Sequence, residues 1–328
     1  MKISIITAAY NTEQYLPECI NSVLRQTHSD WEMWCIDDCS SDSTWSILET
    51  FAAEDERIHA IHREQNGGLA KARNMGVKAC SGDVIMFLDS DDWLSDDALQ
   101  TVCHSFEAHP LTDCVLLDCH YVYPDHTITD RHEPFDVLSG KEAFRLSLTW
   151  KIHGVYAVRA HIHKALLYDE SARWFSDENT TRRHYYASRE VRSCTGTYFY
   201  RMNPTSVTHA VSIKHYDILD AFDSMRTQIK ELAVPEDIQD EYEEVRWRGI
   251  IDSYLYYFLH RRAFSPAERK SIRTRIRKAW SETETARLPK SLRRHFGYIP
   301  FARHWLLFRL QEEAYFTLRS LMGRNEKH

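Results

Sequence analysis

A chain of 328 residues with 43% hydrophobic and 12% aromatic residues can build one large domain or two ordinary ones. Ten glycines and nine prolines exclude collagen-like and low-complexity readings, and no apolar run approaches the roughly 18 residues of a membrane span. The net charge of −7 is uneven: from Arg261 onward 17 basic residues face 6 acidic ones, a balance of +11 that leaves −18 on the rest. An acidic body with a basic tail suits an anionic partner for the tail.

Met1-Lys2 runs straight into Ile3–Ala9, a first strand, with no signal-peptide pattern before it. A helix is predicted over residues 13–25, a second strand over 31–36, and a helix capped by Asp42 or Ser43 that ends near residue 53. A third strand covers 58–61, a helix 69–79, and a fourth strand 84–88. A helix over 95–107 precedes a strand at 113–117. Strands alternating with ten- to fifteen-residue helices predict a parallel sheet with helices on both faces. Residues 121–211 are mixed and rich in His and Tyr. Helical patterns return at 213–232, 236–259, 266–280 and 301–322, and there are no internal repeats. None of the eight cysteines forms a C-x2-C pair, and several sit in apolar runs, so they read as small buried hydrophobes of a reduced, cytoplasmic chain.

In such a sheet, ligands bind beyond the carboxyl ends of the strands. Three clusters fall there: Tyr10-Asn11, Asp37-Asp38-Cys39-Ser40-Ser41-Asp42, and Asp89-Ser90-Asp91-Asp92. Each alone suits a turn or a helix cap. Together they point to one shared site. The third cluster follows the apolar run Val84-Ile85-Met86-Phe87-Leu88. Carboxylates so close repel one another, and a divalent cation bridging to a phosphate relieves this, since hard oxygen ligands suit Mg or Mn. No G-x-G-x-x-G fingerprint follows the first strand, which argues against a dinucleotide enzyme.

Four stretches resemble the inverting glycosyltransferases of family 2. They are Ser4-Ile5-Ile6-Thr7-Ala8-Ala9-Tyr10-Asn11; Ile36-Asp37-Asp38-Cys39-Ser40-Ser41-Asp42, with Cys39 where the family usually has Gly; Asn66-Gly67-Gly68-Leu69-Ala70-Lys71-Ala72-Arg73-Asn74-Met75-Gly76; and Gly82-Asp83 with Phe87-Leu88-Asp89-Ser90-Asp91-Asp92. Their order and spacing are more specific than any one of them. The resemblance is close over about the first 120 residues and looser to about 210. It implies an α/β GT-A fold: a mostly parallel nucleotide-binding sheet flanked by helices, with a helical C-terminal region. The implied division is a glycosyltransferase domain over 1–211 (nucleotide-sugar half 1–120, acceptor half 121–211) and a helical region over 212–328.

By this resemblance Asp38 and Arg73 face the nucleotide base, Tyr10 packs near it and Asn66 sits close by. Asp89 contacts the ribose or the metal shell, and Asp91 binds Mn2+ or Mg2+. The family places an acid pair ahead of a Tyr-x-Tyr-Arg motif. Here Asp177-Glu178 precedes Tyr198-Phe199-Tyr200-Arg201; Glu178 then takes the place of the general base and Asp177 becomes its neighbour, although the pair also suits a helix start. Trp150 and His153 suit an acceptor site or a core. Arg182, Arg183 and His184 suit a pyrophosphate or anionic acceptor, or a solvated helix face.

The implied activity is metal-dependent transfer of a sugar, with inversion, from a UDP-linked donor to a glycan or lipid-linked glycan. The setting is cell-surface polysaccharide or lipopolysaccharide synthesis, with no nucleic acid partner. A nucleotidyltransferase would want a basic, Gly-rich first loop, which Ala8-Ala9-Tyr10-Asn11 lacks. A non-catalytic sugar-nucleotide binder or scaffold is the third reading, distinguished by a donor-hydrolysis assay. The basic tail, with Trp305, Phe308 and Phe316 among arginines, either lies on an anionic membrane surface or packs on the catalytic domain.

Overall fold

The computed structural model describes residues 1–130, 135–170, 177–202 and 211–324. The chain divides into two compact units, Met1–Ser206 and Val207–His328.

The first unit opens with β1 (Ile3–Ala9), α1 (Leu16–Leu24), β2 (Trp31–Asp37), α2 (Thr44–Glu54), β3 (Ile58–His62), α3 (Leu69–Ala79) and β4 (Val84–Phe87). β1 is paired in parallel with β2 on one side and β4 on the other, and β3 flanks β2. All their carboxyl ends therefore leave one edge of the sheet. Side chains alternate between the faces. Ile3 and Ile5 of β1 and Met33 and Cys35 of β2 pack with Leu16, Ile20 and Val23 of α1. Ile6 and Ile36 turn the other way, against Ala72 and Val77 of α3. Gly76 is required there: a Cβ on it would stand 2.7 Å from the Ile6 side chain.

The remainder of the unit comprises β5 (Trp93–Leu94), α4 (Ala98–Ala108), β6 (Thr112–Val122), β7 (Thr127–Asp130), β8 (Val137–Ser139), α5 (Gly140–Leu148), β9 (Tyr156–Arg159), α6 (Ala160–Ala165), α7 (Asp177–Ala187) and β10 (Glu190–Arg201). The predicted strand at 113–117 is the N-terminal half of the longer β6. It is separated from β4 by β9, which runs antiparallel to both. β10 is parallel to β6, and β5 pairs antiparallel to β10. Four residues are too short for β9 to announce itself by period. The sheet order is β3-β2-β1-β4-β9-β6-β10-β5.

The second unit starts with a 3-10 turn (Ile213–Tyr216), followed by α8 (Asp217–Glu231), α9 (Glu236–His260), α10 (Pro266–Ser281), α11 (Lys290–Arg294) and α12 (Trp305–Leu321). Trp247 and Tyr254 of α9, Ile276 and Trp280 of α10, and Phe308 and Phe316 of α12 share one core. α12 thus buries its inner face within its own helical unit. It starts later than residue 301 because Phe301 and Arg303 hold left-handed backbone, φ 44° and 69°, which no right-handed helix admits. Among the described residues no helix is long and apolar enough to cross a membrane.

Candidate active site

The first two strand-end loops are stitched together by small polar groups. The Asn11 amide donates to Ser40 Oγ (2.9 Å), and its side-chain oxygen accepts from the Ser41 amide (2.8 Å). Asn11 can do this because it sits at φ 53°, a region that Asn tolerates. Tyr10 is exposed beside it at 51%.

Asp38 is buried and accepts from the Gly67 amide (2.9 Å), the Gly68 amide (2.7 Å) and Arg63 Nη1. Asn66 donates to the Asp38 carbonyl at 3.0 Å. Asp38 therefore clamps the turn that launches α3, where Gly68 takes φ 90°. A carboxylate offers about four lone-pair sites, so roughly one remains for a ligand. Cys39 holds φ 65°, which explains why glycine suits this position.

The acid loop is tied from the far side of the sheet. The Tyr198 hydroxyl donates to Asp92 Oδ2 (2.7 Å) and accepts from the Asp89 amide (3.1 Å). Arg201 donates its backbone amide to Asp92 Oδ1 (2.7 Å) and its Nε to the Asp91 carbonyl (2.8 Å), and lies over the Trp93 ring at 4.5 Å. Burial, with the charges of Asp89 and Asp91, pushes the Asp92 carboxyl well above its usual range. Asp92 is thus the anchor of the loop. The Tyr-x-Tyr-Arg stretch, a landmark in the sequence, is what fixes the acids.

Arg73 donates to Asp89 Oδ1 at 2.5 Å, its guanidinium 4.3 Å from the Phe87 ring centre and 5.2 Å from that of Tyr168. Asn74, next along the helix, bonds both the amide (2.8 Å) and carbonyl (3.0 Å) of Tyr168 and so sets that ring in place. The structure separates Asp38 from Arg73: Asp38 has Arg63 as its cation, and Arg73 serves Asp89. Arg63 was missed in the sequence, where no pattern marks it.

Asp91 differs from its neighbours. Among the described residues no other side chain is recorded hydrogen-bonding its carboxylate, which burial and the charge of Asp89 push up to about 6. An unmatched carboxylate beside a second acid fits a divalent cation. Among the described residues no cluster of three His, Cys, Asp or Glu is arranged to hold an ion, so phosphate oxygens would have to complete the shell.

A cavity of about 260 Å³ is lined by Arg73, Asp89, Tyr121, Tyr168, Tyr198 and Tyr200, together with Trp150, His153, Glu178 and Thr181. Glu178 stands in the first turn of α7, with Arg182 donating to its Oε2 at 3.3 Å. The Arg182 guanidinium lies 5.1 Å from the Trp150 ring centre, and Trp150, at φ 56°, is 46% exposed. His153 is buried and accepts from the Val155 amide through Nδ1 (3.1 Å). The side chain of Asp177 lies outside the described residues. Arg182 and His184 are not on a solvated face: both are buried. The His184 ring sits between the Tyr156 hydroxyl and the Leu166 carbonyl, each at 2.7 Å. The carbonyl can only accept, so Nε2 carries the proton and Nδ1 accepts from Tyr156. Burial holds this imidazole well below its usual pKa.

The family model for glycosyl transferase family 2 matches residues 4–169, half of the chain. The chain belongs to that family. EpsJ of Bacillus subtilis, an uncharacterized glycosyltransferase, is 33% identical over 221 residues, 63% of this chain and 62% of EpsJ. The poly(ribitol-phosphate) beta-glucosyltransferase of Bacillus spizizenii is 40% identical over 102 residues, 30% of this chain and 16% of that protein. The chain thus spans less than two thirds of these relatives' lengths. The crystal structure of S. aureus TarS 1-349 in complex with UDP-GlcNAc superposes with a TM-score of 0.75 at 20% identity, covering 97% of this chain and 92% of that one. At that identity the likeness speaks for the fold, a GT-A sheet followed by a helical region.

Proposed function

We propose that this family 2 chain transfers a sugar, with inversion, from a UDP-linked donor to a hydroxyl of a glycan or lipid-linked glycan in cell-surface polysaccharide synthesis. One observation carries the reading: a single cavity is lined both by Asp89 and Arg73 from the nucleotide half and by Glu178 from a helix start. The UDP complex of the TarS neighbour supports the choice of nucleotide. The names of its teichoic relatives support the class of acceptor.

The chemistry follows from the side chains. The Tyr10–Asn11 and Asp38–Gly68 loops would bracket the base, with the last Asp38 lone pair accepting from an imide N–H. Arg73 would lend a donor to the diphosphate. Glu178, held by Arg182, would take the proton from the acceptor hydroxyl as it attacks the anomeric carbon, so one displacement suffices and no covalent intermediate forms. A cation held by Asp91, with Asp89 beside it, would offset charge on the departing diphosphate. Tyr200 and Trp150 offer flat faces to sugar rings.

The test is calorimetric titration of UDP, GDP, CDP and TDP with Mn2+ on wild type and Asp91→Ala. UDP should bind preferentially, and the variant should keep its fold but lose the metal-dependent part of binding and of transfer. Preference for GDP would overturn the nucleotide assignment. Full transfer by Asp91→Ala, or by wild type in excess chelator, would overturn the role of the metal.

A further inference from the structure

α12 has two unlike faces. The inward one carries Phe308, Gln311, Glu312 and Phe316, all buried. The outward one carries Leu306 (69% exposed), Leu307 (48%), Leu310 (67%), Leu318 (51%) and Leu321 (80%). At about 100° per residue these leucines fall on one arc of roughly 120°. Met322, 55% exposed, extends it. Five leucines on one exposed stripe are more than the scattered apolar residues of an ordinary surface.

The charges around this stripe have one sign. The helix has two acids, and both are withdrawn: Glu312 is buried, and Glu313 is bound by Arg261 Nη1 at 2.7 Å. Phe296, just beyond α11, packs edge-on against Tyr315 (5.7 Å), one turn before Leu318, and α11 itself carries the exposed Lys290 and Arg294. Arg303, also exposed, lies two residues before the helix. Among the described residues none of Lys290, Arg294 and Arg303 is recorded in a salt bridge. We propose that the outer face of α12 docks this chain on an anionic phospholipid bilayer, its leucines entering the acyl boundary while Lys290, Arg294 and Arg303 meet the headgroups. An exposed apolar stripe in a region where, from Arg261 onward, basic residues outnumber acids 17 to 6, with the helix's own two acids buried or ion-paired, is complementary to that surface and to no neutral one. The proposal does not rest on the function assigned to the cavity.

Because the inner face is core, deleting the helix would unfold the unit, so the test uses point changes on the outer face. The full chain is sedimented with vesicles of equimolar phosphatidylglycerol and phosphatidylcholine, and with pure phosphatidylcholine. It should sediment with the first and not the second, and high salt should release it, since exposed charges are screened. The triple variant Leu306→Ser, Leu310→Ser, Leu321→Ser should weaken binding at least tenfold, about 1.4 kcal/mol, with unchanged circular dichroism. Arg294→Gln with Arg303→Gln should weaken binding and flatten its salt dependence. Equal binding to both vesicles, no binding to either, or undiminished binding by the leucine variant would overturn the proposal. So would a dimer in sedimentation velocity that the leucine variant abolishes, which would assign the stripe to a second copy.

Discussion

The two units bury charge to different ends. In the sheet unit, Asp38, Arg73 and Asp92 are each matched by a neighbour, while among the described residues no side chain is recorded hydrogen-bonding the Asp91 carboxylate. In the helical unit, Arg246 is fully buried and spends both terminal nitrogens inside the fold: it donates to Asp223 (2.9 Å), Glu243 (3.4 Å), the Ala279 carbonyl (3.0 Å) and Thr283 (3.3 Å). Glu312 marks the boundary between the cases. It is buried, and burial pushes its carboxyl up to about 8, but it is not among the residues that line the cavity described above. A buried acid in a core answers its missing partner by keeping its proton; at the mouth of a cavity it can be answered by a ligand. Burial and an odd pKa do not by themselves make a site; access does.

That contrast can be broken in several ways. The largest effect is expected at Glu178. Glu178→Gln should lower turnover by roughly 10²–10⁴, the range for loss of a general base, and leave UDP binding intact. Asp177→Asn should cost less. A transfer assay in which Asp177→Asn is the more damaging would move the base by one residue, and no loss in either would empty the cavity of its proposed chemistry.

Next comes the helical unit. Arg246→Met takes the cation from the buried Glu243, while Asp223 keeps Lys278, and removing one partner of a buried ion pair costs about 3–5 kcal/mol. Denaturant unfolding should show that loss. A change below 1 kcal/mol would mean that water repairs the site and that the charge is less enclosed than its burial implies.

Glu312 yields a prediction with a defined sign. Its proton is retained in the folded chain up to about pH 8, whereas the ordinary value is 4.5. The native state therefore binds more protons than the unfolded one between those values, and the stability this acid contributes at low pH is lost as pH rises through about 8. Glu312→Gln should raise the melting temperature above about pH 8 and change it little below about pH 5. An equal shift at both ends would show that Glu312 is ionised in the fold.

The smallest effect is at Cys39. A non-glycine residue in left-handed backbone costs on the order of 1 kcal/mol, so Cys39→Gly should stabilise the sheet unit by about that much and tighten nothing at the site. If UDP affinity falls instead, the Cys39 side chain contributes to the nucleotide pocket.

Much of the nucleotide half is legible from residues alone, because β1 to β4 and their helices are local: apolar runs of period two, helical runs between, and polar clusters at each strand end. The strand-end pattern locates Asp89 and Asp91 and the family resemblance points to Glu178; Asp89 and Glu178 line one cavity. Partnership is not legible in this way. By resemblance Asp38 and Arg73 both face the base, but that Arg63 pairs with Asp38 and Asp89 with Arg73 is not written in the sequence, since an ion pair depends on which side chains converge in space. Arg182 and His184 look solvated in a polar helix and are buried, because α7 packs its polar face against β9 and the residues after α6. In α12 the alternation of arginine with apolar residues announces amphipathicity but not which apolar residues face inward. By itself, then, the sequence determined the local elements, the strand-end acids and the family, all written within runs of a dozen residues. Only the tertiary structure decided which acid is anchored, which is left for a cation and which leucines meet solvent, because burial and charge matching are set by neighbours up to a hundred residues away.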